Sequence, residues 1–374
     1  MQEIYMCGPD VTEYEEKIVL DALRNCWYGK QAYYYVELFE KEFAEYHRRQ
    51  YALMTPNCTS AIHLLLSGLG IKEGDEVIVP DCTWIGTAAP VVYQRAIPVF
   101  ADIDEYDWCI RCDDVISKIT SKTKAVIAVD LYGNMPNFDS LADICNKNNL
   151  FLIEDAAEAL GSKYNNKPAG KFGIGSTFSF HRTKTITTGE GGMLLLDDEK
   201  LYQRCKFLRD HGRSPGSYFS TEVTFKYMPS NLAAALGYAQ FKRLDELVNK
   251  KRWIWQSFKN NFSDMTDLYF NPEPENVFNG VWDTAMVFGY SHNLTKAYVL
   301  ESLNKANMPS RPFFYPLSML PAFGGNVVRG QQNCPVAYSV SERGINLPCS
   351  LILTKDQIDF MSEVLRKIIL RQNV

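Results

Sequence analysis

No uninterrupted apolar run in the sequence comes near the roughly 18 residues that a membrane-spanning helix needs. Nor is there a basic excess: the 374 residues carry 39 Lys and Arg against 44 Asp and Glu, a formal net charge of −5. Nucleic acid and anionic membrane are thereby disfavoured as main partners, because neither would find a cationic footprint. The opening stretch MQEIYMCGPDVTEYEEK has no positive segment followed by an apolar one, so we expect no signal peptide and a cytoplasmic location. A disulfide framework is also missing. The ten cysteines are scattered through apolar surroundings, as reduced buried thiols would be. Cys109 and Cys112 form the one close pair, and no second Cys or His pair stands at ligand spacing, so no metal site is expected. Internal repeats and low-complexity segments are absent.

What is present is an alternation. The composition, 46% hydrophobic and 22% charged, is that of an ordinary globular protein. The length allows one large domain and a smaller one, at about 100–200 residues each. In the first half, β-rich runs (QYALMTP, DEVIVP, AIPVFADI, AVIAVDLYG, LFLIED) are separated by helical patterns (TSAIHLLLSGLG, TAAPVVYQR, DDVISKIT, SLADICNKNN). Continuous Val/Ile/Leu runs between helices predict a mainly parallel sheet covered on both faces, a three-layer α/β architecture. RLDELVNKKRWIWQSFKNNF reads as a long connecting helix. We expect a large domain over residues 1–245 and a smaller α+β domain over 246–374.

Ligands of such sheets collect beyond the carboxyl ends of the strands. The polar residues at those ends include Thr59 and Ser60, Asp81 to Trp84, Asp130, and Glu154 and Asp155. Asp155 ends the run LFLIED, and a carboxylate there is costly unless something cationic meets it. That cation is either a structural Arg or Lys or a pyridinium nitrogen. A site for pyridoxal 5′-phosphate (PLP) wants both an Asp for the ring nitrogen and a lysine for the Schiff base. Downstream, FSFHRTKTITTGEGG offers Lys184, preceded by Ser179 and followed by glycines that allow a sharp return into MLLLDD. An ordinary Lys, with a pKa of about 10.4, is protonated at neutral pH, and a packed site lowers that value by desolvation and neighbouring positive charge. Thr59 and Ser60, opening a helix, either bind an anion or cap that helix. Trp84 either stacks on an aromatic cofactor or belongs to the core.

GDEVIVPDCTW, FLIEDAAEALGSKYNNKPAGKFG, STFSFHRTKTITTGEGGMLLLDD and YMPSNLAAALGYAQFKRLDE, in that order, resemble the motif blocks of the DegT/DnrJ/StrS sugar aminotransferases. The resemblance spans nearly the whole chain and implies the aspartate aminotransferase fold (fold type I) with PLP as cofactor. It implies Lys184 as the Schiff-base lysine and proton shuttle, Asp155 against the pyridinium nitrogen, and Glu158 near the ring hydroxyl. Trp84 would stack on the ring, while Thr59, Ser60 and Ser179 would hold the phosphate. Asn231 would reach the phosphate of a neighbouring subunit, which implies a homodimer with shared active sites. SRPFFYPLSMLPAF and YSVSERGINLP look most like the perosamine-forming branch, which aminates C4 of a GDP-linked 4-keto-6-deoxy sugar with L-glutamate as donor. Arg311 is then a candidate for the substrate's diphosphate, or a structural Arg. His181 is a pocket wall or a packing residue. A dehydratase branch carries histidine in place of the Schiff-base lysine, so Lys184 argues against dehydration. Cys58 stands where members often have Gly, Asp130 where they commonly have His, and Asn134 where Gln is frequent. These departures imply an altered sugar pocket. Other acceptors stay open: a 3-keto sugar, a UDP- or dTDP-linked 4-keto sugar, or a small keto-alcohol phosphate. A non-catalytic PLP-binding sensor is the reading from another class.

Overall fold

The computed structural model describes residues 3–214, 216–324 and 333–372. Its central sheet is built from the apolar runs: β1 (Tyr51–Thr55), β2 (Glu76–Pro80), β3 (Ile97–Ala101), β4 (Thr123–Val129), β5 (Phe151–Asp155), β6 (Gly175–Ser179) and β7 (Gly192–Leu196). The strands lie in the order β1-β7-β6-β5-β4-β2-β3. From β3 to β6 the pairings are parallel, and β7 runs antiparallel to both β6 and β1. Every residue of β2 and β7 is buried. Along β4 the pleat splits the side chains between two cores: Val126 and Ala128 join one, Ala125, Ile127 and Val129 the other. Both faces are therefore covered, which is why these strands read as unbroken apolar runs.

Helix α1 (Glu13–Asn25) begins in a capping box, Thr12 with Glu15. Helices α2 (Tyr34–Tyr46) and α4 (Asn231–Lys242) pack with it on the first face, and α3 (Cys58–Gly68) covers the second. After the long helix α5 (Leu244–Asn261) comes a second, fully antiparallel sheet. Its strands are β8 (Leu268–Phe270), β9 (Thr284–Phe288), β10 (Arg311–Pro312) and β11 (Gly344–Leu347), in the order β8-β9-β11-β10. With α5, α6 (Lys296–Lys305) and α7 (Lys355–Ile369) it encloses a third core around Phe258, Phe288 and Ile358.

Two sequence expectations are corrected. AVIAVDLYG is not one strand: β4 stops at Val129, and Leu131–Gly133 forms a 3-10 turn in which Tyr132 has φ 52°. TAAPVVYQR is helical only over Ala89–Tyr93, after a separate 3-10 turn at Ile85–Thr87. All ten cysteines are free thiols. Among the described residues no helix is long and apolar enough to cross a membrane, and no cluster of three or more His, Cys, Asp or Glu could hold a metal.

The glycines after Lys184 serve two different ends. Gly189 has φ +80° with nothing within 4 Å of a notional Cβ, so it makes the turn. At Gly192 a Cβ would stand 2.5 Å from Asn57 C and Cys58 N, the backbone at the start of α3. Gly189→Ala should therefore cost about 1–2 kcal/mol from backbone strain alone. Gly192→Ala should reach or exceed the upper end of the roughly 1–3 kcal/mol typical of overpacking, because backbone cannot step aside. Denaturant unfolding of both variants checks the order.

Candidate active site

At the carboxyl edge of the sheet, Asp155 ends β5 with only 3% of its surface exposed. Its Oδ2 accepts a hydrogen bond from Thr87 Oγ1 at 2.7 Å, and its Oδ1 accepts from Ala157 N at 3.2 Å and faces Cys58 Sγ at 3.8 Å. Burial raises its pKa, against the pull of these donors and of Lys184. Among the described residues no Arg or Lys lies within ion-pair distance of it; Lys184 is the cation that acts on it.

Lys184 lies in the loop between β6 and β7. Its Nζ is 3.4 Å from Glu158 Oε1 and 3.5 Å from the ring centroid of Trp282. Glu158 is also fixed from its other oxygen, which accepts from Tyr132 N at 2.9 Å. Burial pushes its carboxyl up to about 7, although Lys184 and the Tyr132 N–H oppose the shift. Trp282 is held by its own Nε1, which donates to Thr183 O at 2.9 Å. Its ring lies within 12° of parallel to those of Tyr132 and Phe314, at 5.9 and 6.2 Å. Trp282 thus backs the lysine, with two near-parallel rings beside it.

The edge has an anion-binding end. The N-cap of α3 is Asn57, whose Oδ1 accepts from Ser60 N at 2.8 Å. The capping alternative for the Thr59 and Ser60 side chains is thereby overturned, and both hydroxyls remain available at a helix N-terminus. Ser179 pairs across the sheet with Gly192, the glycine that lets β7 approach this same turn. A Cβ on Gly86 would lie 2.9 Å from Thr59 Oγ1 and 3.1 Å from Trp84 Cδ1, so Trp84 borders the turn. The Trp84 ring is exposed and sits 6.2 Å from that of Phe314; the core reading of Trp84 is corrected.

His181 Nδ1 is 2.9 Å from Thr183 Oγ1, and its pKa is lowered by burial first, then by Lys184, Arg182 and Arg311 against Glu190. Arg311, at the start of β10, directs Nη2 at Cys7 Sγ, 3.1 Å away. Asn231 stands apart from this group within its own chain: its Oδ1 accepts from Tyr35 N and Val36 N at 3.0 and 3.3 Å, capping α2, and its Nδ2 is buried without a partner. The departures Asp130 and Asn134 are both fully buried, Asn134 donating to Asp107 O at 2.7 Å, so neither lines an open sugar pocket. Sequence reasoning missed Trp282, Tyr132, Phe314 and Thr87. Three are aromatics or hydroxyls within ordinary core patterns, and Tyr132 had only the LYG turn as a signal.

A buried carboxylate, a lysine packed on an aromatic ring and a hydroxyl-lined helix N-terminus, all on one edge of this sheet, fit a PLP-dependent enzyme of fold type I. The model of the DegT/DnrJ/EryC1/StrS aminotransferase family matches residues 9–366, and the chain belongs to that family. It is a PLP-dependent sugar aminotransferase. It is 36% identical over 364 residues to a GDP-perosamine synthase of Escherichia coli O157:H7, covering 97% of this chain and 98% of the relative. A GDP-4-keto-6-deoxy-D-mannose 3-dehydratase of Yersinia pseudotuberculosis is 32% identical over 74% of this chain and 76% of its own. A Streptococcus pneumoniae protein described as a sugar aminotransferase, solved in its PMP form, superposes with a TM-score of 0.91 at 26% identity, covering 99% of this chain and 100% of that one.

Glu158 makes a pH prediction possible for the cofactor-free protein. Its folded pKa of about 7 exceeds the ordinary 4.5, so its contribution to stability is full below pH 4.5 and is lost as pH rises through 7. Glu158→Gln lacks this loss. The melting temperature of the variant relative to the parent should climb by roughly 2–4 °C between pH 4.5 and 7.5. Parallel melting curves across that range would contradict it.

Proposed function

We propose that the enzyme moves an amino group from L-glutamate to the C4 ketone of a GDP-linked 4-keto-6-deoxy hexose, in the manner of a GDP-perosamine synthase. The observation that carries this reading is Lys184 held between Glu158 and Trp282, in a chain alike over its whole length to the Escherichia coli enzyme. PLP, when bound, supplies an electron sink for the carbon that bears the transferred amino group. The protein's own groups do the rest. Thr59, Ser60 and Ser179 hold the phosphate, Asp155 the ring nitrogen, and Trp84 one ring face. Lys184 Nζ takes and returns the proton that moves between carbons, and Glu158 keeps that amine aimed. The aromatic planes of Trp282, Tyr132 and Phe314 exclude water from behind it. His181 and Arg311 lie on the substrate side, Arg311 meeting the diphosphate.

The presence of Lys184 favours transamination over the dehydration named for the Yersinia relative. Residues 1–245 form the cofactor domain and 246–374 the smaller one. The assembly is a cytoplasmic homodimer, with Asn231 as the residue offered to the neighbouring subunit's phosphate site.

The PLP-loaded protein should lose its near-visible absorption band on adding glutamate and regain it with one keto sugar among GDP-, UDP- and dTDP-linked candidates. Recovery with a UDP- or dTDP-linked sugar alone would overturn the nucleotide, and failure of glutamate to discharge the band would overturn the donor. Lys184→Ala should lower turnover by at least about 10²–10⁴-fold, the usual contribution of a positioned acid–base group. Full activity of that variant would sink the mechanism.

A further inference from the structure

Asp155 is clamped on both oxygens, and the clamp is uneven. An ionised carboxylate offers about four acceptor sites, two on each oxygen. Oδ1 uses both of its own, for Ala157 N and for the thiol of Cys58. Burial keeps that thiol protonated and hence a donor. Oδ2 has one donor, Thr87 Oγ1 at 2.7 Å. The remaining acceptor site therefore belongs to the oxygen that Thr87 already holds.

Thr87 is itself held. Its Oγ1 lies 3.0 Å from Thr83 Oγ1. A hydroxyl has one proton, and Thr87 gives its proton to Asp155, so Thr83 must be the donor in that pair. Thr83 and Thr87 are 4% and 2% exposed, respectively, and they bracket the 3-10 turn at Ile85–Thr87. The chain Thr83 to Thr87 to Asp155 Oδ2 is thus dry and one-directional, and each bond polarises the next.

We propose that Thr87, oriented by Thr83, is a positioning residue that keeps Asp155 ionised and presents the free acceptor site of Oδ2 to the cofactor's ring nitrogen. The proposal rests on the reading of Asp155 as the partner of that nitrogen. A hydrogen bond to a charged acceptor is among the stronger ones. Without it, a proton shared between ring nitrogen and carboxylate moves toward the carboxylate, and the ring loses positive charge. The titratable groups that interact electrostatically with Asp155 are Lys184, Glu158, Asp130 and Cys58, and Thr87 hydrogen-bonds to none of them.

The test uses the full-length protein loaded with PLP labelled with ¹⁵N in the ring. Thr87→Val keeps the shape and removes the donor. It should move the ring-nitrogen signal toward that of unprotonated pyridine and raise the pH midpoint of the near-visible band by about 0.5–1 unit, part of the one to two units that a charge-assisted hydrogen bond is worth. Thr87→Ser should restore both readouts, and Thr83→Val should give a smaller shift in the same direction. A purely structural Thr87 would leave the signal and the midpoint where they are, and that result overturns the proposal. Asp155→Asn separates the two levels. If it shifts the ring signal while Thr87→Val does not, only the role of Thr87 falls. If neither variant shifts it, the reading of Asp155 falls as well. Should Thr87→Val not retain PLP, Thr83→Val carries the test alone, with a shift in its favour and no shift against it.

Discussion

The constraint on which this site depends is a crowd of carboxyls at the edge of a buried sheet. Asp130, Glu154, Asp155 and Glu158 each have little or no exposed surface; the other three raise the proton affinity of Asp130, and Asp155 raises that of Glu158. Burying one unpaired charge costs several kcal/mol, and like charges add to that. The structure answers with oriented donors more than with cations. Glu154 takes Gly170 N and Phe172 N, Asp155 takes Thr87 and Ala157 N, and Glu158 takes Tyr132 N and the ammonium of Lys184. An edge so rich in carboxyl groups and so poor in cations is suited to a ligand that brings positive charge with it.

Tyr132 joins this edge to the carboxyl-terminal sheet. It is fully buried, in a left-handed backbone conformation. Its N–H fixes Glu158, and its hydroxyl accepts from Phe314 N and Asn346 Nδ2 at 3.3 and 3.2 Å. Its ring lies near-parallel to and beside those of Trp282 and Phe314. The left-handed φ of a bulky residue is uncommon and needs its surroundings to hold it. Here the carboxylate, the two amide donors and the two rings do so together, and the orientation of Lys184 against Trp282 inherits that rigidity.

How much of this was legible in the sequence depended on range. The strands were readable because burial on both faces leaves unbroken apolar runs, Asp155 and Ser179 because they end strands, and Lys184 because it follows a strand by five residues within a glycine-rich return. Trp282 was not readable. It meets Lys184 only after the chain has passed through α4, α5 and β8, and a single Trp before an apolar run carries no mark of that meeting. Thr87 was hidden differently: one threonine in TWIGTAA looks like any turn residue until the 3-10 turn points it at a carboxylate 68 positions away. Asn57 was overlooked because Thr59 and Ser60 are equally good caps on paper, and only the backbone of the first turn decides among the three.

Adjacent residues can also mislead by adjacency itself. Glu154 and Asp155 read as one acidic pair after LFLI, yet the pleat of β5 sends them to opposite faces. Asp155 faces Cys58 and Thr87 on the side of α3, where the chemistry is. Glu154 faces the loop at Gly170–Phe172 on the other side, next to Asp130, and burial drives its carboxyl to about 7. Asp130 has no donor for either oxygen among the described residues, and burial beside Glu154 raises its proton affinity further. Burial and the neighbouring Glu154 together favour the protonated form of Asp130. Asp130 is therefore a buried group beside Glu154 and not an exposed one at the sheet edge. The groups that do touch the amine of Lys184 are Glu158 and the ring of Trp282.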